Sequence, residues 1–247
     1  GFDPSLLTRK QLNIYFGNSL RLKQINKNLI DEIYKGKIFK TKTFFSLKNK
    51  VAGETFKSKI NKIRKILKSN KVDYLFVSAP ENVAWALNIR GSDNPNSPIP
   101  NCRLIIGKNK ELFLITQKEK VLKIIKDKKL SKKQIINPEK FKDLIKELKG
   151  NKFIIDHLSC SIINENIIKS KFHIINIDDP CYKLKSIKNS SEIKHMINAH
   201  IEDGVALTKF IYWMKNINKK KITEIDSQNK LEKFRKLNKN YLFPSFN

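Results

Sequence analysis

The sequence predicts an α/β fold: a mixed sheet with helices packed on its faces. Three observations carry this. Between residues 56 and 177, strand-length apolar runs alternate with segments of helical periodicity. Two of the runs are joined by Gly107-Lys108-Asn109-Lys110, a hairpin signal that makes that pair antiparallel. Asp178-Asp179-Pro180 then ends the alternation, and a long helical pattern takes over.

The elements follow in order. Residues 1–54 are irregular, with short helices expected at 10–16 and 29–34 and punctuation at Gly17, Gly36 and Gly53. No strand set there can close a core, so Phe16, Ile25, Leu29 and Ile33 need a partner surface. Ile60, Ile63, Ile66 and Leu67 recur at helical spacing. Tyr74–Val77 is a short apolar strand, and Pro80 opens a helix carrying Val83, Ala84, Trp85 and Leu87. Strands at 103–106 and 112–116 form the hairpin, and a basic helix at 119–127 follows. A strand at 134–136, a helix at 138–148, a strand at 152–156, a helix at 160–168 and a strand at 172–177 complete the pattern. A long helix then starts near Ser190, with Ser191 as its cap candidate, and carries Ile193, Met196, Ile197, Ile201, Ala206, Leu207, Phe210 and Ile211. Thr223 caps a last helix, with Asp226 three residues on as a loose capping box.

The 247 residues are enough for two domains. With 40% apolar residues the chain can build a packed core, and with Gly 8 and Pro 8 it is no flexible repeat. It has no run of 18 apolar residues, so no membrane partner is expected. Lys+Arg 51 against Asp+Glu 23 gives +28. Only Arg9, Arg21, Arg64, Arg90, Arg103 and Arg235 are arginines, whereas readers of phosphate and bases favour the arginine fork. The lysines are spread over polar helix faces and accompany abundant Asn and Ile, as an AT-rich gene would give. The charge is therefore read as a solvated surface, with nucleic-acid binding as the alternative. Cys102, Cys160 and Cys181 form no paired motif, so neither a zinc knuckle nor a disulfide framework is expected; a reduced cytoplasm is. The chain starts at Gly1 and stops at Asn247 just after Pro244, and is expected to be a piece of a longer protein at both ends.

Few residue groups point to chemistry. Glu192 and His195 stand at i, i+3, but a di-iron bundle needs a second such unit, and none is present. His195 and His200 are five apart and point to different helix faces, and each of the four histidines reads better as a helix-surface or satisfied core residue than as a ligand. Asp156-His157 closes a strand, a place where α/β folds often carry functional groups. Cys181 is expected to be semi-buried with no base partner. There is no glycine-rich phosphate loop and no nucleophile elbow. The unusual segment runs from Trp85 to Asp93, where a helix enters a polar loop bearing Arg90, Gly91, Ser92 and Asp93, held extended by Pro95, Pro98 and Pro100. As a structural turn, Asp93 accepts backbone N–H bonds and Arg90 pairs with Asp93 or with a helix end. As a functional loop, it presents Arg90 and Asp93 to a cleft or to a partner subunit.

At this segment, NVAWALNIRGSDNPNSPIPNCRLII resembles the helix-loop-strand element of the three-domain Xaa-Pro aminopeptidases (aminopeptidase P). The resemblance continues in order through Gly1-Phe2-Asp3-Pro4, Asn28-Leu29-Ile30-Asp31 and Ala52-Gly53-Glu54. It resumes in Lys185–Asn189, Glu192-Ile193, Ala199 to Leu207, Thr223-Glu224-Ile225, Leu231-Glu232, Phe234-Arg235 and Ser245-Phe246. Ser5, Thr8 and Tyr34 depart from the family's usual residues, and the stretch after Tyr34 is Lys-rich where the family is acidic.

The resemblance implies a remnant of a first creatinase-like domain and bridge at 1–54, and a creatinase N-terminal-like domain with a ribonuclease-H-like mixed sheet at 55–178. A linker at 179–189 would lead to the first helices of a truncated pita-bread α+β domain at 190–247. It implies an enzyme that removes an N-terminal residue preceding proline, acting on short peptides as a cytoplasmic homodimer. Its water would be activated by two bridged metal ions, usually manganese. The family's ligands (two Asp, one His, two Glu) and its proton-shuttling His fall beyond the resembling stretch. They do not map onto His195, His200, Asp203 or Glu224. No catalytic residue and no metal are therefore expected in this chain, which should be inactive alone. Arg90, Asp93 and Trp85 are the candidates for the substrate cleft or the interface. Metal-free creatinase-like domains also serve as binding modules, which remains the second reading.

Overall fold

The computed structural model describes residues 1–17, 20–25, 28–34, 42–218 and 221–244. Gly36, the rest of the stretch 35–41 and Ser245-Phe246 lie outside the described residues. The chain forms two compact units, Gly1–Lys48 with Glu54–Ile187, and Asn49–Gly53 with Lys188–Asn247.

In the first unit, α1 (Arg9–Phe16) and α2 (Leu29–Ile33) precede a short β1 (Phe45–Ser46). The second unit takes its first turn, α3 (Asn49–Ala52), from the middle of this run. Then come α4 (Phe56–Ser69), β2 (Tyr74–Val77), α5 (Pro80–Leu87), β3 (Ile89–Arg90), β4 (Arg103–Gly107) and β5 (Leu112–Ile115). They are followed by α6 (Leu122–Lys126), β6 (Ile135–Ile136), α7 (Phe141–Glu147), β7 (Lys152–Ile155), α8 (Ile162–Lys169), β8 (His173–Asn176) and α9 (Pro180–Ser186).

Among the described residues, six strands form one sheet in the order β6-β5-β4-β2-β7-β8. The hairpin makes β4 and β5 antiparallel, as its turn residues require. β2 pairs antiparallel with β4 but parallel with β7, and β7 is parallel to β8. Alternate side chains leave opposite faces, so each strand feeds two cores. Leu75, Val77, Leu104, Ile106 and Leu114 pack with Ile60, Ile63 and Leu67 of α4 and Val83 and Leu87 of α5. On the other face Phe76, Ile105, Phe153 and Ile155 pack with Phe141, Leu144 and Ile145 of α7 and Ile168 of α8. The rings of Tyr74, Phe153 and Phe172 sit 5.2–5.7 Å apart, in stacked and edge-on contacts. With both faces covered, β2 is apolar and buried at every position.

The first residues find their partner surface on α8. The carbonyls of Pro4 and Leu7 accept the N–H groups of Ile163 and Ile162 at 2.9 Å, filling donors that the helix start leaves open. Phe16 and Ile25 are half-buried, whereas Leu29 and Ile33 stay exposed.

The second unit holds α3, α10 (Ser190–Asn216) and α11 (Glu224–Lys236). The cap of α10 is Asn189, not Ser191: its side chain accepts from Glu192 N, and the Glu192 carboxylate accepts from Asn189 N, each at 3.0 Å. An Asn outranks a Ser already inside the first turn because it stands where the backbone is still extended. Thr223 and Asp226 form the expected box on α11. The Arg235 guanidinium grips Asp203 at 2.6 and 3.1 Å, joining α11 to α10. Of the apolar stripe on α10, only Ala206 is buried.

Three local features differ from expectation. The segments 118–121 and 138–140 are 3-10 turns ahead of shorter α-helices, the second opened by Pro138. After Asp178 a helix, α9, forms because Asp179 accepts the Cys181 N–H at 2.8 Å and Pro180 occupies the first turn. Cys181 is fully buried rather than semi-buried.

Candidate functional site

Two clusters on the first unit carry polar chemistry. The first is at the C-terminal end of α5. Asn88 ends the helix in a left-handed conformation, φ 50 and ψ 49, which leaves the last carbonyls pointing outward. Cations meet them. Lys59, from α4, is buried; its Nζ donates to Trp85 O at 3.2 Å and to Asn88 Oδ1 at 2.8 Å, and lies 4.6 Å from the Trp85 ring centre. Lys129 Nζ donates to Leu87 O at 3.0 Å and Asn88 O at 2.8 Å. Arg90 Nη1 donates to Ala84 O at 3.3 Å and Ile89 O at 2.8 Å. The arrangement complements the negative end of the helix dipole. It also desolvates ammonium groups: burial lowers Lys129 to about 8, with Lys59 and Arg90 adding repulsion that Asp127 opposes.

The loop beyond is fastened from both sides. Gly91 N donates to Pro98 O at 3.1 Å, and a side chain at Gly91 would meet the Pro100 backbone at 2.7 Å, so only glycine fits. Asp93 Oδ2 accepts the Asn101 N–H at 2.6 Å, and Oδ1 accepts Lys120 Nζ at 2.8 Å in a pair that is mostly out of water. Asp93 thus works as an internal clamp with Lys120, and Arg90 binds the helix end. Trp85 is half-buried beside Lys59. Lys59, Lys120 and Lys129 escaped sequence reading because they look like the other solvated lysines; only the fold brings them to α5.

The second cluster is at the carboxyl end of the parallel strands. One ligand atom each from Asp156, His157 and Asp178 lie within 4.8 Å of one another. Sequence order singles out Asp156 and His157 at a strand end but gives no sign that Asp178 meets them. Among the described residues no other histidine joins such a group of three: His195 and His200 are exposed on α10, His173 is exposed on β8, and Glu192 is spent on the cap of α10. Burial pushes the thiol of Cys160 up to about 12 and raises those of Cys102 and Cys181, so none is a thiolate at neutral pH.

This geometry belongs to a known fold. The creatinase/prolidase N-terminal domain family matches residues 37–192. A Xaa-Pro aminopeptidase of Drosophila melanogaster is 32% identical over 262 residues, covering 100% of this chain and 42% of the relative. Xaa-Pro aminopeptidase 1 of Dictyostelium discoideum is 29% identical, covering 99% and 40%. The crystal structure of X-prolyl aminopeptidase from Caenorhabditis elegans, described as a cytosolic enzyme with a di-nuclear active site, superposes with a TM-score of 0.85 at 24% identity, over 100% of this chain and 42% of that one. A Xaa-Pro dipeptidase from Bacillus anthracis aligns over 74% of this chain with a TM-score of 0.56. The chain therefore spans under half the length of these relatives. The creatinase-type mixed sheet expected from the sequence is present, and the chain belongs to the creatinase/prolidase N-terminal domain family, in the form that Xaa-Pro aminopeptidases carry.

Proposed function

We propose that the protein is part of a metalloaminopeptidase that cleaves the bond between an N-terminal residue and a following proline, and that this chain is the frame of that enzyme rather than its reaction centre. The observation that carries the reading is similarity to Xaa-Pro aminopeptidases along the entire chain. A two-ion centre of the kind described for the Caenorhabditis elegans enzyme would ionise the attacking water and stabilise the tetrahedral intermediate. The described residues do not fit such a centre. They offer one group of three close ligands, Asp156, His157 and Asp178, against the five side chains that the family resemblance assigns to two ions. No step is therefore assigned to side chains of this chain.

In this reading residues 55–178 form the creatinase N-terminal-like domain and residues 190–247 begin the pita-bread domain. The ions are manganese, the assembly is a cytoplasmic homodimer, and nucleic acid is not a partner. The loop with Arg90 and Asp93, and Trp85 behind it, borders the cleft or the dimer contact. Its fastening by Lys120, Pro98 and Asn101 supports a rigid border of this kind.

Two assays test the proposal. Protein captured from its own cells with an antibody against these 247 residues should release the first residue of Xaa-Pro-Xaa peptides with manganese, and not that of Xaa-Ala-Xaa. No release refutes the peptidase reading. The 247-residue chain alone should be inert in the same assay; turnover there refutes the frame reading.

A further inference from the structure

The peptidase reading makes no use of the carboxyl edge of β7 and β8, and this edge gathers a different chemistry. Ile155 of β7 is in register with Asn176 of β8, so the residues that follow both strands leave the sheet side by side. That places Asp156 and His157 next to Asp178, with their ligand atoms within 4.8 Å of one another.

Three features set this group apart from an ordinary acidic surface. The first is the donor set, two carboxylates and an imidazole from two adjacent parallel strands. It is the mixture that borderline divalent cations take, at the sheet edge where open α/β folds hold ligands. The second is the state of Asp156, which is fully buried but has only neutral strong partners. Its Oδ1 accepts Leu158 N at 3.0 Å and its Oδ2 accepts Ser159 Oγ at 2.6 Å; Ser159 Oγ in turn lies 2.7 Å from Ser78 Oγ. Among the described residues no Lys or Arg bridges to it, and its one ionisable neighbour by ion-pair distance is His157, with Nδ1 4.0 Å from Oδ1. In a chain of net charge +28, a buried carboxylate without a lysine or arginine is a place where another cation would recover the lost Coulomb energy. Leu158 and Ser159 fix the carboxylate from behind, as outer-shell partners fix a metal ligand. The third is access. His157 is half-buried and Asp178 is exposed, so solvent reaches two of the three ligands.

We propose that Asp156, His157 and Asp178 form a mononuclear site for a borderline divalent cation such as Zn²⁺, which ties together the ends of β7 and β8. Ligands sharing one Zn²⁺ at about 2.1 Å lie roughly 3–4 Å apart. The ligand atoms lie within 4.8 Å of one another, so closing on one ion requires His157 and Asp178, the two with solvent access, to move toward Asp156. The site is independent of the proposed peptidase activity and stands or falls without it.

The test is calorimetric titration of Zn²⁺ into the tag-free, chelator-treated chain, with His157→Asn and Asp178→Asn as the variants. Both positions have solvent access, so both variants should fold, and their metal-free melting temperatures are measured as the control. The expected result is one equivalent bound by the unaltered chain, at least tenfold weaker binding in each variant, and a zinc-dependent rise in melting temperature that the variants lose. Absence of a one-equivalent step, or a step of equal affinity in the folded variants, overturns the proposal.

Discussion

Asp73→Asn is expected to destabilise the first unit in a way that fades in acid. Asp73 stands just before β2, and its carboxylate ties three strands together. Oδ2 accepts the N–H groups of Asn151 and Lys152 at 2.7 and 3.0 Å, at the entry to β7, and Oδ1 accepts Lys108 Nζ at 2.7 Å, just after β4. Burial raises its pKa, but the Lys108 bond and the two backbone donors outweigh this and bring it from 3.8 to about 2. A fall of 1.8 units corresponds to about 2.4 kcal/mol of preference for the folded state. Lys108 is 42% exposed, so solvent screening reduces the expected cost to roughly 1–2 kcal/mol. Because the folded pKa is the lower one, the folded state binds fewer protons. The stabilisation is complete well above pH 3.8, about half of it is gone near pH 3, and the rest is lost through pH 2. Urea unfolding of both proteins between pH 7 and pH 3 measures this directly. A gap between wild type and variant that stays constant over that range would refute the assignment to the ionised carboxylate.

The remaining expectations follow from single contacts. Gly53 has φ +70, and a methyl group there would lie 2.1 Å from Asn189 Oδ1, so Gly53→Ala should cost about 2–3 kcal/mol by adding backbone strain and displacing the cap of α10; urea melts check it. Asp93→Ala leaves a mostly buried Lys120 ammonium unpaired and should cost roughly 2–3 kcal/mol, whereas a change under about 0.5 kcal/mol would show that Asp93 is free to face a ligand. Lys129 is lowered to about 8 by burial, so the folded state gives up this proton first and the contribution of this group, read as the gap between wild type and Lys129→Gln, should rise as pH climbs from 8 toward 10.5, while the buried thiols of Cys102, Cys160 and Cys181 pull both proteins the other way. Unfolding measurements on both proteins across the same range check it.

The fold was legible wherever one periodicity dominated. Ile60, Ile63 and Leu67 could only be a buried helix face, and Tyr74–Val77 could only be a covered strand. The hairpin turn fixed the antiparallel pair before any tertiary information was needed. Legibility failed where a cap competed with its neighbours. Asn189, Ser190 and Ser191 all suit a helix start, and Asn189 wins because its Nδ2 also donates to Ala52 O at 2.9 Å, a contact 137 residues away. It failed again at α9, where Asp179 and Pro180 read equally well as a break and as a cap followed by a first turn. The buried bond from Asn82 Nδ2 to Asp179 Oδ2, 2.8 Å long and 97 residues apart in sequence, favours the helix.

The candidate sites show the same division. Arg90 and Asp93 stand out because a helix running into an Arg-Gly-Ser-Asp loop is locally odd; Arg90 takes the end of α5, one of the partners the sequence offers it, whereas the Lys120 ammonium that pairs with Asp93 comes from 27 residues away. Lysines are so common in this chain that composition hides the few that are structural. Lys59 is distinguished from its neighbours only by lying on the same helical stripe as Ile63 and Leu67, a stripe that turns inward. Asp178 could not be joined to Asp156 and His157 from sequence because the link is a register. Lys152 pairs with His173 and Ile155 with Asn176, a constant offset of 21 residues, and the same offset carried two residues past the strands sets His157 beside Asp178. A change of register by one residue would break that meeting while leaving every local pattern intact, so the proposed cation site depends on the β7–β8 pairing.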